Sequence, residues 1–128
     1  MALDSSGDPN SRRQTILWEK HGGPNQQWIF YPAQNGAYFI VNCQDQGTLE
    51  IPNQHPQPGA ELHSSQPNRT PNEMWLITPH GEGVMIRSVL NDRMGLNICG
   101  GQLNNGARII LYELTGTPNE IWDLLPVN

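Results

Sequence analysis

The chain has 128 residues, enough for one domain with its own hydrophobic core. Charged residues make up only 15%, whereas Gly (13) and Pro (11) are frequent, a composition typical of short strands joined by many turns rather than of helix bundles. The net charge of −5, with a single lysine, argues against nucleic acid or an anionic membrane as a partner, because both require a basic surface.

Apolar and β-branched stretches predict short strands along the whole chain. The first begins at Leu3-Asp4, and a polar loop containing Gly7 and Pro9 separates it from a second strand that ends at Trp18. A third strand covers 28–30 and ends by Pro32. Further strands are predicted at 37–41, 49–51 and around 61–63, and again at 84–89, 96–98 and 108–112.

One short motif recurs at a fixed interval. Pro-Asn-Gln-Gln-Trp at 24–28 returns as Pro-Asn-Glu-Met-Trp at 71–75 and as Pro-Asn-Glu-Ile-Trp at 118–122, each 47 residues after the last. A constant period of this length indicates a repeat architecture. The repeats are about 1–34 (copy 1), 35–81 (copy 2) and 82–128 (copy 3), with four short strands per copy and the tryptophan in the last. Three such copies around converging tryptophans predict one all-β domain, a β-trefoil.

Copy 1 is shorter than the others. Three complete units would need about 13 residues more than the chain has, and nothing precedes Leu3 to match the strand at 37–41. The first strand of copy 1 is therefore expected to be missing, which leaves two unpaired strand edges. The alternatives are a truncated start of the sequence, or a homodimer or opened trefoil that accommodates these edges.

The three motifs resemble the Gln-x-Trp signature of the ricin B-type lectins, which occurs once per trefoil unit, and copy 1 is similar to the small cytoplasmic mushroom lectins of that family. The resemblance covers nearly the whole chain. It implies a lectin without catalytic activity whose partners are glycans or glycoproteins bearing galactose or N-acetylgalactosamine. Glu73 and Glu120 depart from the signature glutamine. Because an ionised carboxylate only accepts hydrogen bonds, this puts the loop hydrogen bonds of copies 2 and 3 in question.

Sugar binding requires a carboxylate acceptor, an amide that both donates and accepts, and a flat aromatic ring for the apolar face of the sugar. In the family these come from an Asp after the second strand, an aromatic on the third strand and the Asn before Gln-x-Trp. The resemblance implies Asp4, Trp18 and Asn25 in copy 1, with His21 and Gly22 at the bend between them.

The other copies carry weaker versions of this set. Copy 3 has an amide in place of the carboxylate, and its residues are Asn97, Tyr112 and Asn119. Loss of charge-assisted hydrogen bonds should weaken that site. Copy 2 has Glu50 and Asn72, but His63 or Ser65 falls where a ring belongs, so this copy is expected to be empty.

Each of these residues also has a simpler explanation. Trp18 and Tyr112 can serve as ordinary strand packing, and Asn suits turns because it bonds its own backbone. Their combination in copy 1 favours a site. The alternative function is a protein-binding trefoil, such as a protease inhibitor acting through the loops at 5–13 and 52–58. A glycoside hydrolase is not expected, because the threefold arrangement should spread the candidate carboxylates apart rather than place two of them across one cleft.

Signals for other compartments and cofactors are lacking in the sequence. No secretory signal follows Met1, and no apolar run reaches membrane-spanning length. Cys43 and Cys99 lie at unrelated repeat positions and are expected to be reduced thiols. The histidines have no partner at metal-ligand spacing. We therefore expect a cytoplasmic protein that does not insert into a membrane and uses no metal or other cofactor.

Overall fold

A computed structural model of the chain describes residues 1–6 and 13–127. The described residues form ten strands and six short 3₁₀ turns, and none of their helices is long and apolar enough to cross a membrane. The strands are β1 (Ala2–Ser5), β2 (Thr15–Trp18), β3 (Trp28–Pro32), β4 (Tyr38–Asn42), β5 (Thr48–Glu50), β6 (His63–Ser65), β7 (Trp75–His80), β8 (Gly83–Ser88), β9 (Met94–Ile98) and β10 (Ile109–Glu113). The 3₁₀ turns are Pro24–Gln26, Gln34–Gly36, Pro52–Gln54, Pro71–Glu73, Cys99–Gly101 and Pro118–Glu120.

The repeated motif forms the same turn in every copy. Proline occupies the first position, where its fixed φ suits a helical turn and its missing N–H removes no hydrogen bond. The residue before the tryptophan then closes the turn by donating its N–H to the proline carbonyl, at 3.1–3.2 Å in the three copies. The motif therefore fixes where the chain leaves the turn and enters the tryptophan strand.

The strands form two layers of structure. The hairpins β1–β2, β5–β6 and β9–β10 pack side by side, and a ring of antiparallel strands is built from β3, β4, β7, β8 and the segment 122–127. Main-chain hydrogen bonds join the hairpins to one another, with the N–H of Thr15 bonding the Leu62 carbonyl (2.9 Å) and the N–H of Leu62 bonding that of Ile109 (3.1 Å). Three equivalent units thus surround one axis, which is the arrangement of a β-trefoil.

The core lies on this axis and draws on all three copies. Its buried apolar residues are Leu17, Ile40, Leu49, Ile51, Leu62, Trp75, Ile86, Met94, Leu96, Ile98, Ala107, Ile109 and Leu111.

Both cysteines are free thiols, as their repeat positions predicted.

The three tryptophans are equivalent in hydrogen bonding but not in burial. Each indole N–H donates to a main-chain carbonyl of its own copy: Trp28 to Leu3 at 3.0 Å, Trp75 to Leu49 at 3.0 Å and Trp122 to Leu96 at 3.4 Å. Trp75 is completely buried, whereas Trp28 and Trp122 are only partly buried against the core. All three tryptophans therefore converge on the core, but only Trp75 is enclosed by it.

The difference arises at an opening in the ring. The described part of copy 1 contains no strand equivalent to β4 or β8. The segment 122–127 repeats the pattern of β3 and β7, with proline four residues after tryptophan, yet it makes only one isolated bridge, between Trp122 and Val84. β3 pairs along its length with β4, and β7 with β8, but 122–127 has no such partner among the residues that the structure describes. The predicted last strand of copy 3 is for this reason not formed.

Candidate functional site

Asp4 is the centre of the polar cluster in copy 1. It lies on β1 and is only 3% exposed, and its Oδ2 accepts hydrogen bonds from Asn25 Nδ2 (3.1 Å) and Gln26 Nε2 (2.9 Å). His21 Nε2 lies 3.9 Å from the same oxygen. A carboxylate offers about four lone-pair positions, so these contacts leave acceptor capacity for a ligand hydroxyl.

The bend beside Asp4 is held in shape by the motif itself. Gln26 Oε1 accepts the N–H groups of His21 (2.9 Å) and Gly22 (3.2 Å), while Gln26 Nε2 also donates to the Glu19 carbonyl (3.0 Å). Gly22 has a φ of 77°, which favours glycine, and a side chain there would meet open space. The His21 ring folds back, and its Nδ1 accepts the Gly23 N–H at 2.9 Å. Sequence reasoning did not assign a site role to Gln26, although it belongs to the repeated motif.

Trp18 lies on the same face of the hairpin as Asp4. Asp4 pairs with Ile16 across the β1–β2 ladder, and Trp18 is two residues further along, opposite Ala2. Side chains two residues apart on a strand share a face. Trp18 is 39% exposed, so the residue is accessible to solvent.

Copy 3 reproduces this arrangement with an amide at the centre. Asn97 Oδ1 accepts Asn119 Nδ2 at 3.4 Å, and Asn119 also donates to the Ile98 carbonyl at 3.1 Å. Tyr112 pairs with Gly95 in the same register as Trp18 with Ala2, and Tyr112 is 48% exposed. The residues predicted for copy 3 therefore lie together.

Copy 2 differs at the ring position. The β5–β6 register pairs Glu50 with His63 and Thr48 with Ser65, so Ser65 occupies the position of Trp18 and Tyr112. His63 Nε2 lies 3.0 Å from Glu50 Oε1 and engages the carboxylate. The register resolves the two-residue ambiguity of the sequence: β6 begins at His63 rather than at 61, and copy 2 has Ser65 where copies 1 and 3 have an aromatic ring.

The glutamates at the signature position keep the loop hydrogen bonds of their copies. One oxygen of each signature residue accepts two main-chain N–H groups: Gln26 from His21 and Gly22, Glu73 from Asn68 and Arg69 (2.9 and 2.8 Å), and Glu120 from Thr115 and Gly116 (2.8 and 2.9 Å). Only the acceptor function is needed there, and a carboxylate supplies it as well as an amide does. Replacement of the signature glutamine by glutamate matters instead at the second polar atom of the side chain, which is Nε2 in Gln26 and Oε2 in Glu73 and Glu120.

This second polar atom faces the residue at the centre of its copy, which is Asp4 in copy 1, Glu50 in copy 2 and Asn97 in copy 3. In copy 1 the Gln26 amide donates to Asp4, and in copy 3 the direction is reversed, because Asn97 Nδ2 donates to Glu120 Oε2 at 3.0 Å. In copy 2 the carboxylates of Glu50 and Glu73 meet, so the expected separation of all the carboxylates is wrong for this pair. Glu73 Oε2 is buried without a hydrogen-bond partner. Two acceptors cannot satisfy each other unless one is protonated.

The two resolved pKa shifts follow this pattern. Burial is the largest cause that raises the pKa of Glu50, and Glu73 raises it further, while His63 opposes the shift. For Glu120, burial raises the pKa, but hydrogen bonds from Thr115, Gly116 and Asn97 outweigh it, and the pKa is held below the ordinary value. An ionised carboxylate is thus favoured in copy 3 and disfavoured in copy 2.

Copy 1 also differs at the amide oxygen of its motif asparagine. In the other copies a threonine hydroxyl donates to this oxygen: Thr70 to Asn72 and Thr117 to Asn119. Copy 1 has Gly23 at that position, which leaves Asn25 Oδ1 without this donor. A Cβ at Gly23 would lie 2.7 Å from His21 Cε1, so the glycine also makes room for the histidine ring. In the sequence this difference is visible as Gly23 in copy 1, where the equivalent positions of copies 2 and 3 carry Thr70 and Thr117.

No group of three or more His, Cys, Asp or Glu suited to a metal ion occurs in the described residues. The clusters contain carboxylates, amides and aromatic rings, which suit the recognition of neutral hydroxyl groups.

A sequence model of the family described as ricin-type beta-trefoil lectin domain-like matches residues 1–64 and 24–112, together most of the chain. The chain belongs to this family. A comparison with curated proteins finds no significant match.

Solved structures share the fold of this ricin-type lectin-like chain. A designed 3-fold symmetric protein, ThreeFoil, has a TM-score of 0.91 and 24% identity over 98% of this chain and 90% of its own. The Macrolepiota procera ricin B-like lectin in complex with lactose has a TM-score of 0.78 and 21% identity, covering 94% of this chain and 84% of its own. The C-half of the earthworm R-type lectin in complex with GalNAc has a TM-score of 0.62 and 25% identity, covering 93% and 85%. The predicted all-β trefoil is confirmed.

Proposed function

We propose that the chain is a carbohydrate-binding lectin without catalytic activity and that copy 1 is its main site for galactose or N-acetylgalactosamine-type glycans. The observation that carries this proposal is the cluster of Asp4, His21 and Asn25 on the same side of the β1–β2 hairpin as the accessible Trp18 ring. Two structural neighbours are lectins whose complexes contain lactose and GalNAc, which supports this sugar class.

The chemistry of the cluster matches a galactose-type sugar. The apolar C–H face of the sugar stacks on Trp18, while neighbouring hydroxyls donate to Asp4 and Asn25 Oδ1. His21 and Gly22 border the same space. Copy 3 provides Asn97, Tyr112 and Asn119 without a carboxylate and binds more weakly.

Copy 2 stays empty under this proposal, because Ser65 provides no ring and His63 engages Glu50. Single sugars bind such shallow sites with dissociation constants of about 1 mM, near −4 kcal/mol. Useful avidity then requires several sites on one molecule or a homodimer, and gel filtration distinguishes these two sources. We place the lectin in the cytoplasm, where glycans and glycoproteins are its partners.

The test compares equivalent residues in different copies. A glycan array identifies the best ligand, and calorimetry with that ligand then measures Asp4→Ala, Asn25→Ala and the matched control Asn72→Ala. We expect a loss of at least tenfold in affinity for the first two and no change for Asn72→Ala, because all three variants lose a similar side chain but only two lie in copy 1.

Two results would contradict the proposal. One is the absence of binding to any glycan, and the other is binding indifferent to both copy 1 variants. Inhibition of a protease that Asn25→Ala leaves undisturbed would instead support the protein-binding alternative.

A further inference from the structure

The end of β2 that carries Trp18 is bonded to a loop of copy 3, residues 102–108. The N–H of Leu17 donates to the Ala107 carbonyl, and the N–H of Gly106 donates to the Leu17 carbonyl, both at 2.8 Å. The segment 106–107 therefore flanks β2 on the edge that β1 leaves free. This loop thus reaches the copy 1 site from the neighbouring copy.

The Asn105 side chain belongs to this junction. Its Oδ1 accepts the N–H of Glu19, the residue after Trp18, at 2.7 Å. Asn105 is exposed, and its Nδ2 has no hydrogen-bond partner among the residues that the structure describes. One end of the amide is therefore fixed, while the other end, which can donate two hydrogen bonds, is available to a ligand.

Glu19 connects Asn105 to the polar cluster of copy 1. The Glu19 carbonyl accepts a hydrogen bond from Gln26 Nε2 at 3.0 Å, and the same Nε2 donates to Asp4 Oδ2 at 2.9 Å. Hydrogen bonds thus link Asp4 to Asn105 through Gln26 and the main chain of Glu19. Groups that are held in place before a ligand arrives lose less conformational freedom when it binds, which favours affinity.

The equivalent junction in copy 3 has the same backbone but lacks the amide. There the N–H of Gly59 donates to the Leu111 carbonyl at 2.7 Å, and the N–H of Leu111 donates to the Ala60 carbonyl at 2.8 Å. Gly59 and Gly106 also share a φ of 87° and 88°. The residue before Gly59 is Pro58, whose side chain has no hydrogen-bonding group. Copies 1 and 3 therefore differ here in a donor and not in the path of the loop.

The width of this surface indicates what the donor meets. β1, which carries Asp4, lies on one edge of β2, and the copy 3 loop lies on the other. Because neighbouring strands lie about 4.8 Å apart, the surface between β1 and the loop is about 10 Å wide, more than one pyranose ring covers. A sugar stacked on Trp18 beside Asp4 therefore leaves Asn105 to the next sugar of a glycan.

We propose that Asn105 forms a second subsite of copy 1, which binds the sugar that follows a terminal galactose-type residue. This inference rests on the proposed function. Asn105 Nδ2 donates to a hydroxyl or to an acetamido carbonyl oxygen of the second sugar. Copy 1 therefore prefers disaccharides and longer glycans to a single sugar, whereas copy 3, which has Pro58 at this position, does not distinguish them.

Calorimetry with methyl β-galactoside and with lactose compares one sugar with two. The wild type should bind lactose at least threefold more tightly. Asn105→Asp keeps an oxygen for the Glu19 N–H but removes the Nδ2 donor, so it should abolish this preference and leave the affinity for methyl β-galactoside unchanged. Asn104→Asp adds the same charge to the same loop at a side chain without a hydrogen bond in the described chain, so the preference should persist. Circular dichroism checks that both variants are folded.

Asp4→Ala separates this inference from the proposed function. If Asp4→Ala weakens both ligands but the wild type binds them equally, sugar binding by copy 1 stands and the second subsite is overturned. An equal loss of both ligands in Asn105→Asp, or the same loss of preference in Asn104→Asp, would also overturn it. Absence of binding to either galactoside, or binding that Asp4→Ala leaves unchanged, would overturn the proposed function and this inference with it.

Discussion

Gln26, Glu73 and Glu120 hold equivalent positions, and the residue that each one faces decides whether its charge is tolerated. Gln26 faces Asp4 and Glu120 faces Asn97, so each of these pairs joins one amide with one carboxylate. Glu73 faces Glu50, and its second oxygen has no partner. The same substitution therefore has opposite consequences in copies 2 and 3.

We predict that Glu73→Gln stabilises the protein at pH 7.5 by about 1–2 kcal/mol, because the amide donates to Glu50 as Gln26 does to Asp4. The pKa of Glu50 is raised in the folded state, so protonation of Glu50 favours folding. Its contribution to the free energy of unfolding is complete below the unfolded-state pKa and is lost as the pH rises through the folded-state pKa. The gain from Glu73→Gln should accordingly shrink towards pH 4. Urea unfolding at both pH values measures it.

Glu120→Gln is the matched variant with the opposite sign. It removes the acceptor for Asn97 Nδ2 and should destabilise the protein by about 1–2 kcal/mol at pH 7.5. The pKa of Glu120 is lowered in the folded state, so ionisation of Glu120 favours folding. Its contribution to the free energy of unfolding is present above the unfolded-state pKa and is lost as the pH falls through the folded-state pKa. The deficit should thus also shrink in acid. Equal effects of the two variants at pH 7.5 would contradict the donor–acceptor explanation.

At the scale of elements, the three hairpins have one register and differ in what they present. β2 and β10 place Trp18 and Tyr112 at the position where β6 places Ser65. Opposite the central residue, β2 and β10 carry Ile16 and Ile110, whereas β6 carries His63. Copy 2, which we expect to be empty, therefore differs from copies 1 and 3 at two positions of β6, those of His63 and Ser65.

We predict that Ser65→Tyr combined with His63→Ile creates an additional sugar site in copy 2. The tyrosine supplies the missing ring, and removal of the imidazole frees the Glu50 carboxylate. Calorimetry with the best glycan should show one more site per chain than the wild type. Ser65→Tyr alone should add little, since His63 still engages Glu50. An unchanged number of sites in the folded double variant would show that register and side-chain type are insufficient.

The threefold arrangement of the domain is complete around Trp75 and open between Trp28 and Trp122. Trp75 is enclosed by paired strands on both sides and is fully buried, while Trp28 and Trp122 border the opening in the ring. Stability is therefore distributed unevenly around the axis, although the three motifs are nearly identical in sequence.

We predict that Trp75→Ala lowers the free energy of unfolding by about 3–5 kcal/mol, as expected for a large buried side chain. Trp28→Ala and Trp122→Ala should each cost less, because part of each ring is already exposed. Denaturant unfolding of the three variants provides the ranking. A loss at Trp28 or Trp122 equal to that at Trp75 would mean that the ring is closed in solution.

The repeat and the fold could be predicted from the sequence alone, because a 47-residue period and a turn built on Pro-Asn are local patterns that repeat without reference to the rest of the molecule. The grouping of Asp4, Trp18 and Asn25 was implied by the resemblance to the ricin B-type lectins. The burial of each tryptophan could not be predicted from the sequence, nor could the loss of the strand after Trp122 or the position of Ser65. Burial and strand formation depend on partners supplied by distant segments, and a shift of two residues in register leaves the alternation of side chains unchanged. The pairing of Glu50 with Glu73 was also hidden from the sequence, since those residues meet only when the 3₁₀ turn of copy 2 packs on β5.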